Sequence, residues 1–133
     1  MRNLRFLFPC SLFLLIAFFV LACGSSNMFQ STLKSISVTP STANDQAQFT
    51  ATGTYADGRK VSPLTALWSE GSPWVSSLIA PPGITVDATG FASCNRTGTY
   101  TVEATAPADP HVPLAQIGPT TPQVSGMAQI ICP

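Results

Sequence analysis

Four cysteines and one histidine are the side chains of this chain best suited to chemistry: Cys10, Cys23, Cys94, Cys132 and His111. A thiol can be modified covalently, pair as a disulfide or bind a metal. A nucleophile needs a base beside it, but His111 stands between Pro110 and Val112 in a stretch without strand or helix periodicity. We therefore expect His111 to be exposed and at most to contact a ligand, and the cysteines to provide the covalent chemistry.

The carboxylates are too dispersed for acid-base catalysis. Asp45, Asp57, Asp87 and Asp109 each occur singly in turn-like sequence, where aspartate accepts hydrogen bonds from nearby backbone. Paired catalytic carboxylates or a calcium-binding loop would need several acidic residues close together. The sequence therefore predicts a protein that is not an enzyme and has no cofactor or metal, with calcium at the Asp57 or Asp87 turn as the alternative.

Residues 1–22 have the composition of an export signal. Arg2 and Arg5 precede an uncharged run from Phe6 to Ala22, which matches the positive and apolar regions of a secretory signal peptide. We expect this segment to be helical and Cys10 to be removed with it. The alternative is an uncleaved membrane helix, because about 17 apolar residues are near the minimum that spans a bilayer.

The apolar run ends in Phe19-Val20-Leu21-Ala22-Cys23-Gly24, and this ending resembles the lipobox of bacterial lipoproteins. The resemblance covers residues 1–26 and implies cleavage after Ala22. It also implies a diacylglycerol on the Cys23 thiol and a further acyl chain, such as palmitate, on the new amino group. More than one chain gives stable membrane anchoring, so membrane lipid is the first expected partner.

Residues 23–32 are short and polar, which predicts a lipidated tether between the anchor and the domain. Ser25, rather than an acidic residue, follows Gly24. In the lipoproteins that the leader resembles, this choice implies the outer membrane or the cell surface. We therefore expect a bacterial cell-envelope location.

The remaining residues, 33–133, alternate apolar and polar side chains in short segments, and no segment has helical periodicity. The clearest strand is Gln46 to Tyr55, with Ala47, Phe49, Ala51 and Tyr55 on one face. Asp57-Gly58 then predicts a tight hairpin. Three further strands are predicted at 61–69, 99–105 and 127–132, the first placing Trp68 as a buried ring at the centre of the domain. Several short strands separated by turns predict one all-β sandwich.

The order of these motifs resembles the bacterial Ig-like domains of group 2. The matching segments are Leu33-Lys34-Ser35-Ile36-Ser37-Val38-Thr39-Pro40, Gln48-Phe49-Thr50-Ala51-Thr52-Gly53-Thr54-Tyr55-Ala56-Asp57-Gly58, Trp68-Ser69 and Gly98-Thr99-Tyr100-Thr101-Val102-Glu103-Ala104. The resemblance spans residues 33–132 and implies an immunoglobulin-like β-sandwich of about seven strands, with a structural or adhesive role and no shared catalytic residues. Asn44-Asp45 and the proline-rich segment 70–82 depart from the family pattern.

Cys94 and Cys132 are the two cysteines that remain beyond the leader and the anchor. In an exported chain an even pair predicts a disulfide. If the strand near Tyr100 pairs antiparallel with the last strand, Cys94 is brought towards Cys132. A metal site or a reactive thiol is the competing interpretation, but the chain has no Cys-x-x-Cys spacing.

Charge and loop composition limit the possible partners. Beyond the leader, four basic side chains stand against six acidic ones without a basic stripe, which excludes nucleic acid as the expected partner. The proline-rich stretch 107–125 is predicted to be a long loop that could contact a protein or glycan of unknown identity. The sequence thus predicts a membrane-anchored surface lipoprotein with a structural, adhesive or protein-interaction module. The alternative is an envelope carbohydrate-binding module that uses Trp74 and this loop.

Overall fold

The computed structural model describes residues 31–71 and 81–133. The predicted signal peptide, Cys23, most of the predicted tether and residues 72–80 with Trp74 lie outside the described residues. The described part is all-β, as predicted, with ten strands, one short 3-10 helix and no α-helix. In these two ranges there is accordingly no helix that is long and apolar enough to cross a membrane.

The strands vary from two to ten residues in length. They are β1 (Leu33–Thr39), β2 (Thr42–Asn44), β3 (Gln46–Gln48), β4 (Thr50–Tyr55), β5 (Lys60–Val61), β6 (Leu67–Glu70), β7 (Ile84–Val86), β8 (Phe91–Cys94), β9 (Gly98–Pro107) and β10 (Gln123–Cys132), with the 3-10 helix at Leu114–Gln116. β1 ends directly before Pro40, which has no amide hydrogen for the ladder.

The strands form two layers of a sandwich. One layer has the order β2-β10-β9-β6, and the other consists of β1-β4-β5 and β3-β8-β7. The two parts of the second layer are directly connected, because only Phe49 separates β3 in one part from β4 in the other. The amide of Phe49 donates to the carbonyl of Gly90 at 2.9 Å. The predicted strand Gln46–Tyr55 is therefore present, with one interruption at its most buried residue.

The core lies between the layers and has few large side chains. Phe49, Ile84, Val102 and Ile130 are the largest fully buried residues. Around them the core is rich in alanine, and the layers approach closely at Gly126, where an added Cβ would overlap the carbonyl oxygen of Ile36. The outward faces carry mainly hydroxyl and amide side chains, with Leu67, Phe91, Met127 and Ile131 as exposed apolar exceptions. The sequence alternation correctly predicts the buried face of β4.

The predicted strand 61–69 is wrong in extent, and Trp68 is not the centre of the core. β5 ends at Val61 and β6 begins only at Leu67, because the chain crosses between the layers there: β5 pairs with β4, whereas β6 pairs with β9. The Trp68 side chain is half-buried and lies against Gly90 at the edge of the core. The fully buried positions of the core are occupied by smaller side chains, of which Phe49 is the largest.

The predicted loop 107–125 is shorter in the structure. β9 continues to Pro107 and β10 already begins at Gln123, so the connection is 108–122. The amide of Ala108 donates to the carbonyl of Pro122 at 2.9 Å and closes the base of this connection. The sequence missed these strand residues because proline and small side chains usually mark loops.

Candidate functional site

A disulfide joins the two layers at one end of the sandwich. Cys94 ends β8 in one layer and Cys132 ends β10 in the other, with their Cα atoms 5.6 Å apart. β9 pairs antiparallel with β10, and Gly98 lies opposite Cys132. The predicted pairing of these cysteines and the strand register used to infer it are both confirmed.

The surroundings of this disulfide end are polar. The Tyr100 hydroxyl donates to the carbonyl of Thr97 at 3.1 Å, and its ring packs so tightly over Gly83 that a Cβ there would overlap it. The Asn95 side-chain amide donates to the Thr85 hydroxyl at 2.7 Å. Hydrogen bonds and a covalent link therefore fix the loops at this end, which we call the disulfide end.

The chain enters the domain at the opposite end, which we call the tether end. The Ser31 hydroxyl accepts a hydrogen bond from the amide of Asp57 at 2.7 Å, and the Thr32 carbonyl accepts one from Ala56 at 2.9 Å. The amide of Leu33 donates to the carbonyl of Ala108 at 2.8 Å. The incoming chain is thus held between the β4–β5 hairpin and the start of the 108–122 connection.

An apolar groove of about 250 Å³ opens at the tether end. The sandwich and the 108–122 connection line it together, mainly through Leu33, Tyr55, Val61, Leu64, Val112 and Leu114. Leu33 and Tyr55 are buried, whereas the others are half-buried and leave apolar surface open. We call this feature the tether-end groove.

Sequence reasoning missed the tether-end groove. Its lining comes from four separate segments, and no local pattern shows that they meet. The available signal was the presence of Val112 and Leu114, two isolated aliphatic side chains in a proline-rich connection. Aliphatic residues in a connection that packs back on the domain can extend its core.

The rim of the groove has one close cation. The Arg59 guanidinium lies 4.3 Å from the centre of the Tyr55 ring and 3.9 Å from an Asp57 oxygen. About half of each ionic side chain remains exposed, so the ion pair contributes little to stability. Gly58 at the hairpin tip has a φ of 84°, as the predicted Asp-Gly turn requires.

Of the two predicted ligand contacts, only His111 lies within the described residues. His111 is exposed in the 108–122 connection, where its amide donates to Asp109 Oδ1 at 2.9 Å. Trp74 lies outside the described residues, but the chain leaves the described part at Gly71, whose amide donates to Thr101 on the disulfide half of β9. His111 and the point where the chain departs towards Trp74 are thus at different ends of the sandwich.

Three of the predicted turn aspartates, Asp57, Asp87 and Asp109, accept hydrogen bonds from backbone amides two residues further along the chain. Asp87 Oδ1 accepts hydrogen bonds from the Thr89 hydroxyl at 2.6 Å, the Thr89 amide at 2.8 Å and the Phe91 amide at 3.0 Å. The Thr89 hydroxyl, followed by the Phe91 amide, holds the pKa of Asp87 below its ordinary value of 3.8. In residues 31–71 and 81–133, no three histidine, cysteine or acidic side chains are grouped as metal ligands would be.

No protein-family model matches the chain, and no curated protein matches its sequence. The resemblance to group 2 Ig-like domains therefore stays a prediction from the motifs.

Proposed function

We propose that this protein is a lipid-anchored bacterial envelope protein whose Ig-like sandwich has a structural, adhesive or protein-interaction role. Cys23 would hold the acyl chains, and residues 24–30 would connect them to the tether end. The proposed location is the outer membrane or the cell surface. The domain would act as a stable body held near the membrane.

The observation that most strongly supports this proposal is the Cys94–Cys132 disulfide. Disulfides persist in the periplasm and on cell surfaces and are rare in a reducing cytoplasm. Signal-peptide composition and disulfide use are independent features of the chain, since they depend on different residues. Both are expected of an exported protein.

The positions of the two ends imply how the domain would be oriented relative to the membrane. Seven residues, 24–30, can extend at most about 25 Å, so the tether end would stay close to the bilayer. β10 has ten residues and runs the length of the sandwich, which amounts to roughly 33 Å. The disulfide end would therefore face away from the membrane and be available to partners.

A glycan site that combines Trp74 with the proline-rich connection fits this arrangement poorly. Trp74 is three positions after Gly71, and three positions span about 10 Å at most. Thr101, which binds the amide of Gly71, is six residues or roughly 20 Å along β9 from Pro107. We therefore favour the structural or protein-interaction role over the carbohydrate-binding alternative.

The anchoring step is tested with a matched pair of cysteine substitutions. In cells that produce the full chain, we expect Cys23→Ser to abolish lipid labelling and prevent maturation of the leader. Cys10→Ser removes a thiol from the same leader and should leave labelling and membrane fractionation unchanged. Equal labelling of the Cys23→Ser variant and the wild type would contradict the proposal.

The interaction role is tested with the soluble chain 24–133 as bait against envelope extracts. A specific partner should bind the oxidised chain and be lost with a Cys94→Ala/Cys132→Ala variant, because that variant releases the disulfide end. Binding of no envelope protein above the level of an unrelated domain would count against an adhesive or protein-interaction role.

A further inference from the structure

The tether-end groove lies where the chain passes from the domain to the proposed tether. We propose that the groove binds an apolar pair of this same chain, Met28 and Phe29. Phe29 would fill the groove and Met28 would cover its rim. The domain would then be fixed against its own tether instead of swinging freely on it.

The position of the incoming chain makes this contact possible. Ser31 is hydrogen-bonded to Asp57, and Thr32 is hydrogen-bonded to Ala56. Tyr55, which directly precedes Ala56, lines the groove. Phe29 is two residues before Ser31, a separation of about 7 Å at most. A phenylalanine at that position is therefore restricted to the neighbourhood of the tether end.

The chemistry of the groove fits an apolar occupant. Its side chains are aliphatic or aromatic apart from Thr65, and none is charged. A volume of about 250 Å³ accommodates one phenylalanine side chain. Between Gly24 and Thr32 the chain is otherwise polar or glycine, so Met28 and Phe29 are the apolar side chains of this segment.

Docking would change how the anchor holds the domain. With Met28 and Phe29 bound, only residues 24–27 would separate the lipidated cysteine from the domain, and four residues extend about 14 Å at most. The tether end would sit close to the headgroups in a restricted orientation. This contact depends on the groove and not on lipidation, so it can be tested apart from the proposed anchor.

The test is a double-mutant cycle on the soluble chain 24–133, which retains every residue of the buried core. Phe29→Ser is combined with Leu114→Ser, which alters the groove. The matched control is Leu67→Ser, at a side chain that is 45% exposed on the outer face of β6. Ser26→Ala controls for a change in the tether itself.

We expect Phe29→Ser to lower the thermal midpoint by about 4 °C or more, the shift expected for losing one partly buried aromatic side chain. This loss should largely disappear when Leu114→Ser is already present and remain in full beside Leu67→Ser. Ser26→Ala should leave the midpoint unchanged.

Three results would overturn the proposal. The first is a Phe29→Ser midpoint equal to that of Ser26→Ala. The second is a Phe29→Ser loss that is additive with Leu114→Ser, because the side chain then binds elsewhere. The third is a loss that grows with protein concentration, because a second copy of the chain, rather than the same chain, then fills the groove.

Discussion

The two ends of the sandwich are closed by different means. At the disulfide end, a covalent bond joins β8 to β10 and hydrogen bonds fix the neighbouring loops. At the tether end, the 108–122 connection packs against the sandwich through half-buried aliphatic side chains and leaves an apolar groove. The disulfide end is thus cross-linked and polar, whereas the tether end, where the chain enters the domain, keeps apolar surface for a further contact.

The largest expected loss of stability comes from removing the disulfide, which closes only one of the two ends. The bridge closes a loop with a sequence separation of 38, and the chain-entropy model gives about 4 kcal/mol for a loop of this length. In a domain of about 100 residues, Cys94→Ala/Cys132→Ala should lower the thermal midpoint by roughly 15 °C or more. Calorimetry of the soluble chain measures the shift.

Reduction of the wild-type chain is the control for that prediction and should give the midpoint of the double variant. A shift of only a few degrees would show that the disulfide end does not depend on its covalent link. The contrast between the two ends would then be one of polarity alone.

The packing between the layers is tested at Gly126, on the tether half of β10. An added methyl group would overlap the backbone of Ile36, so Gly126→Ala should cost about 1–3 kcal/mol through overpacking. Gly118→Ala is the matched control, because no atom lies within 4 Å of its added Cβ. Urea unfolding midpoints for the two variants should differ clearly, and equal values would contradict the close approach of β1 and β10.

The smallest expected effect concerns the Asp87 turn, which joins β7 to β8 at the end of that hairpin opposite Cys94. The pKa of Asp87 is lowered in the folded protein, so its charged form stabilises the fold above the ordinary value of 3.8. That contribution is lost as the pH falls through the lower pKa of the folded state. Asp87→Asn should therefore show a weaker loss of stability than the wild type below pH 3.8, as followed by urea unfolding. Parallel curves would contradict the assignment.

The sequence predicted the features that depend on neighbouring residues. Period-two alternation identified the buried face of β4 and β9, and Asp57-Gly58 identified the hairpin, because both signals are local. The Cys94–Cys132 pair was predictable for a further reason. Antiparallel pairing of the two long strands places the start of one opposite the end of the other.

The features that the sequence did not predict depend on distant contacts. The half-buried position of Trp68 depends on Gly90, a residue of a different strand connection. The extension of β9 to Pro107 depends on its pairing with Gln123 across the 108–122 connection. The tether-end groove requires four segments to meet, and no single segment has a pattern that indicates it.

We propose a chain that is held to a membrane through Cys23 and presents an oxidised sandwich beyond it. Intact-mass spectrometry of the protein extracted from the membrane fraction tests both parts at once. We predict a chain that begins at Cys23, is heavier than its amino-acid mass by a diacylglycerol and a further acyl chain, and lacks two hydrogens at Cys94 and Cys132. An unmodified Cys23 with the leader still attached would contradict the account.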